Sequence, residues 1–284
     1  MDENNERNPD FEPRDIFSFL NNYVLLLFAL TCILGSVFIQ QIFMLGGHLQ
    51  LGIAVAPIVG IILPIYFITR RFKHGLRRQL LIMRPTLRTG LYVMIATFFA
   101  VVIVDFIYMF SQKYMLPPVD YVEGLKELKP TGPLSAIITF LGLCVIVPLG
   151  EEIIFRGIIQ RVFARNMGGV LAFVLAGAFF GVIHLTPQLL LSMVAFGIYL
   201  GFLFYATSNL FYPIFAHCLL NAVGFVQLVS VPVDETSAPP FYVQNVWMLV
   251  PALIALAYLL YQIKKGDPVK TKTPYIPLDD SDAR

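Results

Sequence analysis

Eight long apolar runs dominate this sequence and leave little choice of fold. A helix needs about 20 mostly apolar residues to cross the roughly 30 Å hydrocarbon layer of a bilayer. By that rule the chain offers candidate spans at 23–44, 51–69, 90–110, 133–160, 169–183, 189–207, 210–231 and 243–263. The expected fold is all-α, a multi-pass transmembrane helical bundle of about eight spanning helices. Composition agrees: 57% of residues are hydrophobic and only 13% charged, whereas soluble domains carry about 25% charged residues. The gaps between runs leave no room for a second, soluble domain.

Basic residues orient the bundle, because short loops rich in Lys and Arg are retained on the cytoplasmic side. Arg70, Arg71, Lys73, Arg77, Arg78, Arg84 and Arg88 crowd the second connection. Counting from that loop puts both termini inside, in keeping with Arg161 and Arg165 after the fourth run and Lys264, Lys265, Lys270 and Lys272 after the eighth. Only Lys113, Lys126 and Lys129 then fall outside. The first residues are polar and acid-rich, without a short apolar core and small-residue cleavage site, so no removable signal peptide is expected. The expected organisation is a polar cytoplasmic segment at 1–15, transmembrane helices at 16–132, a helical core at 133–231, and a last helix with its cytoplasmic tail at 232–284. Cys32, Cys144 and Cys218 lie inside apolar runs without paired spacing and imply no disulfide framework. Short loops and the lack of a targeting segment point to a bacterial plasma membrane.

A charge in the hydrocarbon layer costs about 2.5–3.5 kcal/mol on insertion scales, so such residues face a bundle interior or a watery cavity and serve a purpose. Here they are Asp105, Glu151, Glu152, Arg156, His184 and His217, with Asn221 as an uncharged companion. Adjacent helical residues point about 100° apart, so Glu151 and Glu152 cannot share one target. Arg156 lies one turn after Glu152 on the same face, in the favourable order of acid before base. That pair is expected to be structural and to leave Glu151 as the carboxylate for chemistry. Phe180 precedes His184 by one turn and walls its surroundings with an apolar ring. A neutral imidazole there, near Glu151, is suited to accept a proton or ligate a metal. His217 and Asn221, again one turn apart, would present two donors to a developing oxyanion. Asp105 is expected to pair with Arg156 or border a cavity, with at most a minor part in chemistry.

Gly177 with Gly181 and Gly197 with Gly201 form small-residue spacings that let helices approach closely in lipid, and packing is their expected role. Cys218 adjoins His217 but diverges from it on a helix, which disfavours a Cys–His nucleophile. The sequence holds no His-Glu-x-x-His zinc motif, no Gly-x-Ser-Gly turn and no Gly-x-Gly-Asp aspartyl motif. What is left is Glu and His chemistry acting on water.

Three motifs follow in order on separate expected helices within 148–224: Glu151-Glu152-Ile153-Ile154-Phe155-Arg156, then Phe180-Gly181-Val182-Ile183-His184, then His217-Cys218-Leu219-Leu220-Asn221. On these the chain resembles the CPBP superfamily, which contains the type II CAAX prenyl endopeptidases and the bacterial Abi or bacteriocin-processing membrane proteins. The resemblance implies an intramembrane endopeptidase in which Glu151 with His184 activates the attacking water, His217 and Asn221 hold the oxyanion, and Glu152 with Arg156 supports the geometry. It implies a hydrophobic, membrane-associated or prenylated peptide as substrate, membrane lipid as surrounding partner, and no nucleic acid. Two versions of the chemistry stay open. One is a metal-independent glutamate mechanism; the other is a catalytic zinc held by Glu151, His184 and His217 with water in the fourth position. A non-enzymatic bacteriocin-immunity or scaffold protein is the competing class. A transporter using Asp105 and Glu151 ranks behind it, since no inverted repeat is evident.

The expected spans contain one conflict. A helix starting at Gly169 carries His184 about 22 Å inward at 1.5 Å per residue, whereas Glu151 and His217 fall nearer the cytoplasmic half. Either that helix is strongly tilted or a boundary is misplaced.

Overall fold

The computed structural model describes residues 16–72, 75–114, 119–230 and 246–266. Besides the single turns Ile16–Phe19 and Leu76–Gln79, the helices in chain order are α1 (Asn22–Leu45), α2 (Leu49–Thr69), α3 (Leu87–Gln112), the short α4 (Val119–Leu128), α5 (Pro133–Met167), α6 (Gly169–Ile183), α7 (Pro187–Thr207), α8 (Phe211–Ser230) and α9 (Val246–Gly266). All but α4 and α6 are long and apolar enough to cross a membrane, and no strand occurs among the described residues. The all-α multi-pass bundle is therefore as expected. The segment 1–15, Lys73, Lys270, Lys272 and the expected span ends at Val231 and Val243 lie outside the described residues.

Two spans differ from expectation. The run at 169–183 forms a helix of only 15 residues, about 22 Å long and short of the roughly 30 Å layer. The preceding helix continues past Gln160 to Met167, 35 residues in all. Arg161 and Arg165, which resemble loop charges in sequence, extend it because other segments supply them with partners, Arg161 inside the bundle and Arg165 at its surface. Arg161 is buried, donates to the Gln79 carbonyl at 2.5 Å, and lies 3.6 Å from the centre of the Phe17 ring. Arg165 donates to the Phe17 carbonyl at 3.1 Å. Only Gly168, at a φ of 80° that suits a residue without Cβ, separates α5 from α6.

Helix ends follow local chemistry. Asn21 caps α1 by accepting from the Val24 N–H at 2.9 Å, and Pro133 opens α5, where its missing N–H costs nothing. Gln50 on α2 donates to the Lys129 carbonyl at 3.1 Å, serving the orphan acceptors after α4. Ser208 takes a left-handed conformation that stops α7. Asn209 then clamps the turn, its Oδ1 accepting from the N–H groups of Phe211 and Met83, while Leu210 donates to the Leu81 carbonyl. That clamp sets where α8 begins.

Glycines bring the helices together. A Cβ on Gly177 of α6 would lie 2.5 Å from the Ile198 nitrogen of α7, and one on Gly181 would lie 2.7 Å from the Val194 nitrogen. Neither distance is tolerable, so the two backbones touch only because side chains are absent there, as the small-residue spacing predicts. Helix α3 packs against α7, α8 and α9 on the other side of this pair.

Candidate active site

Glu151 and Glu152 occupy Val147–Ile154, an α-helical stretch of α5 bracketed by two π-helical turns, Gly142–Ile146 and Phe155–Ile159. Single π-turns inside α-helices have identifiable local causes. For the first turn the cause is Pro148, whose ring clashes with the carbonyl four residues back in a regular helix. The backbone widens instead, and the Val147 N–H bonds the Gly142 carbonyl five residues away.

The long α5 resolves the conflict of depths. Glu151 precedes Met167 by about as many residues as His184 follows Gly169, which puts both about 22–24 Å from the Gly168 turn. Ring contacts confirm the register, since Phe155 meets Phe180 with centroids 5.0 Å apart. The misplaced boundary was the end of α5, and His184 lies at the level of Glu151.

Arg156, Glu152 and His217 form one directly bonded cluster, with Glu151 beside it at ion-pair distance. Arg156 Nη1 donates to Glu152 Oε1 at 2.7 Å, and both side chains are completely buried. The guanidinium reaches on through Nη2 to the Gly197 carbonyl of α7 at 2.7 Å, and its carbon lies 4.9 Å from the centre of the Phe180 ring. One turn on, Gln160 Nε2 makes the matching bond to the Gly201 carbonyl at 2.9 Å. His217 of α8 supplies the remaining links: Nδ1 lies 2.8 Å from Glu152 Oε1, and Nε2 lies 3.7 Å from Glu151 Oε2. A carboxylate only accepts, so Nδ1 carries a proton toward Glu152 and Nε2 is the ring atom that faces Glu151. The Glu152–Arg156 pair is thus present, but Glu152 also holds His217, a link that spacing alone did not suggest. The Glu151 side chain retains 27% exposure while Glu152 has none.

Aromatic rings enclose the cluster. His217 meets Phe180 and Phe196 edge-on, with centroids 5.8 and 5.2 Å away. Phe180 also contacts the His184 ring at 4.8 Å, so one phenyl group separates the two histidines. His184 is half-buried at the end of α6, and its Nδ1 lies 2.7 Å from the Phe180 carbonyl. That carbonyl fixes the proton on Nδ1 and leaves Nε2 as an acceptor. Asn221 donates from Nδ2 to the Leu143 carbonyl at 2.8 Å. Asp105 is half-buried on α3, while the guanidinium of Arg156 is committed to Glu152 and Gly197. The packing of Phe196 on His217 and the bond from Arg156 to the Gly197 carbonyl carried no signal in the sequence, because each joins residues on different helices.

Among the described residues no three His, Cys, Asp or Glu side chains come together as a group able to hold a metal ion. The Glu151, His184 and His217 set expected for zinc is therefore not assembled in this arrangement. A separate apolar cavity of about 270 Å³ lies between α3 and α8, lined by residues that include Thr97, Val101, Leu219 and Val223. Leu219 and Val223 each follow a site residue by two positions, so they look away from the cluster.

Residues 133–223 match the family model described as type II CAAX prenyl endopeptidase Rce1-like. The chain is also 33% identical over 133 residues to the Bacillus subtilis (strain 168) protein described as "Putative membrane peptidase YdiL", a match covering 44% of this chain and 54% of that protein. The chain thus spans about half the length of the curated relative it matches. No solved structure matches it. Arg156, Glu152, His217 and Glu151, with His184 and Asn221, all fall inside the segment of this integral membrane protein that matches the Rce1-like family model.

Proposed function

We propose that this protein is an intramembrane endopeptidase that hydrolyses a peptide bond of a hydrophobic or membrane-associated substrate with water activated by Glu151. The observation that carries the proposal is the bridge of His217 between a buried, charge-balanced carboxylate and a partly exposed one. Arg156 offsets the charge of Glu152, so Glu152 serves to orient the imidazole. Glu151 is left to act as base.

In the proposed reaction Glu151 takes a proton from water as the oxygen adds to the peptide carbonyl carbon. His184, with its Nε2 lone pair, holds the same water. The proton passes from Glu151 to His217 Nε2, which only then becomes a donor to the tetrahedral oxyanion. Collapse of the intermediate breaks the C–N bond, and the leaving nitrogen takes the proton back from His217. The donors of the cluster favour a metal-independent course. The CAAX-type family match makes lipidated peptides one candidate class of substrate. In the same proposal the membrane is a bacterial plasma membrane with the loop at 70–88 on its cytoplasmic side.

Cleavage of a quenched hydrophobic peptide library by protein in detergent tests this. Activity in the wild type that disappears in Glu151→Gln supports the proposal. Cleavage that survives Glu151→Gln and His184→Ala refutes the site, and a wild type that binds a membrane peptide without ever cutting it favours an immunity or scaffold role.

A further inference from the structure

Leu143 is in the first π-turn of α5, two turns before the carboxylates. In a π-turn each carbonyl looks for the N–H five residues on, and the donor due to Leu143 is residue 148, a proline without an N–H. The α-helical alternative is the Val147 N–H, but that is already bonded to Gly142. Neither the α-helical nor the π-helical position therefore supplies a main-chain donor to the Leu143 carbonyl. Water cannot substitute freely inside a membrane, where an unsatisfied backbone group costs several kcal/mol. Asn221 Nδ2, reaching across from α8 at 2.8 Å, supplies the missing donor.

We propose that Asn221 is a positioning residue that takes the place of the proline's absent N–H, fixing the widened turn and with it the direction in which Glu151 and Glu152 leave α5. This rests on the peptidase proposal for its kinetic consequences and not for its structural ones. The turn is not self-sufficient: Pro148 demands it, and Asn221 completes it from another helix. His217, one turn before Asn221 on α8, grips Glu152. The two residues tie α8 to α5 at two successive levels, one through the main chain and one through the carboxylate. An Asn acting mainly on the oxyanion would need its amide directed at substrate, whereas this amide is directed at a helix carbonyl.

The chemistry of the missing donor gives a direct test, because Pro148→Ala restores an N–H at the residue where it is lacking. We would compare wild type, Asn221→Ala, Asn221→Asp, Pro148→Ala and the Pro148→Ala/Asn221→Ala double variant, reading thermal stability in detergent and, on a cleavable peptide, kcat and KM separately. Asn221→Ala and the isosteric Asn221→Asp are expected to lower stability and to reduce kcat about tenfold or more, with KM changed far less. The double variant is expected to recover both stability and kcat to near those of Pro148→Ala alone. A double variant as slow as Asn221→Ala, though equally well folded, would overturn the inference and return Asn221 to the oxyanion. If Asn221→Ala does not accumulate in membranes, recovery of accumulation in the double variant supports the inference, and its continued absence beside a well-expressed Pro148→Ala counts against it. Absence of cleavage by wild type would tell against the peptidase proposal alone, since the stability coupling between positions 148 and 221 is read without substrate.

Discussion

Nδ1 of His217 lies 2.8 Å from Oε1 of Glu152, and the same oxygen receives Arg156 Nη1 at 2.7 Å. One buried oxygen thus fixes a histidine and a guanidinium that come from different helices. Removing its charge while keeping its shape strikes both. Glu152→Gln is expected to destabilise the fold by about 3–5 kcal/mol, the usual cost of stranding one member of a buried ion pair. Thermal unfolding in detergent measures it, and a variant as stable as wild type would mean the pair carries no structural weight.

Glu151→Gln separates chemistry from folding. The side chain is partly exposed and lies 3.7 Å from its histidine neighbour, so loss of its charge is expected to leave unfolding nearly unchanged. Cleavage should fall by about 10²–10⁴-fold, as for removal of a general base. Paired measurements of Tm and kcat decide, and retained activity would remove Glu151 from the mechanism.

His184 and His217 are expected to respond differently to alanine. His217 is buried, bonded to Glu152 and packed between two phenyl rings, so its removal lowers stability and activity together. His184 is half-buried and, among the described residues, its ring is bonded to a carbonyl of its own helix turn; its removal lowers activity by about 10²-fold with a much smaller loss of Tm. Equal stability losses in the two variants would contradict the geometry.

Gly197 and Gly224 provide a contrast in packing. A Cβ on Gly197 would sit 2.6 Å from the Gly177 oxygen, whereas one on Gly224 meets nothing within 4 Å. Gly197→Ala is expected to cost about 1–3 kcal/mol through overpacking, and to weaken activity as well because its carbonyl holds Arg156. Gly224→Ala is expected to be neutral or to stabilise by up to about 1 kcal/mol. Unfolding curves of the two variants read the difference.

Metal dependence has a plain readout. With no metal-holding group assembled among the described residues, cleavage is expected to survive prolonged incubation with a strong chelator, and the purified protein to carry no stoichiometric zinc by elemental analysis. Loss of activity on chelation with recovery on added zinc would show that Glu151, His184 and His217 regroup around an ion.

The apolar runs gave most spans to within a few residues, because hydrocarbon thickness is a stringent filter on length, as at α2 and α3. The end of α5 escaped it: Arg161 has the composition of a loop residue, and partners distant in sequence, the Gln79 carbonyl and Phe17 ring among them, make a buried helical place for it. At the site, the one-turn spacing of Glu152 and Arg156 was legible since both lie on one helix. The bond from His217 to Glu152 spans 65 positions and that from Asn221 to Leu143 spans 78, and no local periodicity reports such contacts. The π-turns were hidden for another reason, that proline in sequence announces a disturbance without saying which form it takes.

Arg156 has one partner four residues before it and another, the Gly197 carbonyl, 41 residues after it. During synthesis the guanidinium therefore enters the bilayer half-provided, with Glu152 beside it and its second acceptor still unmade. Helix α7 must arrive before that charge is settled, and α8 must follow before Glu152 gains its histidine. A nascent chain holding only the first two sequence motifs owns its carboxylates but not the histidine that lies between them, so under the proposed chemistry the order of translation holds back hydrolysis until the bundle has closed.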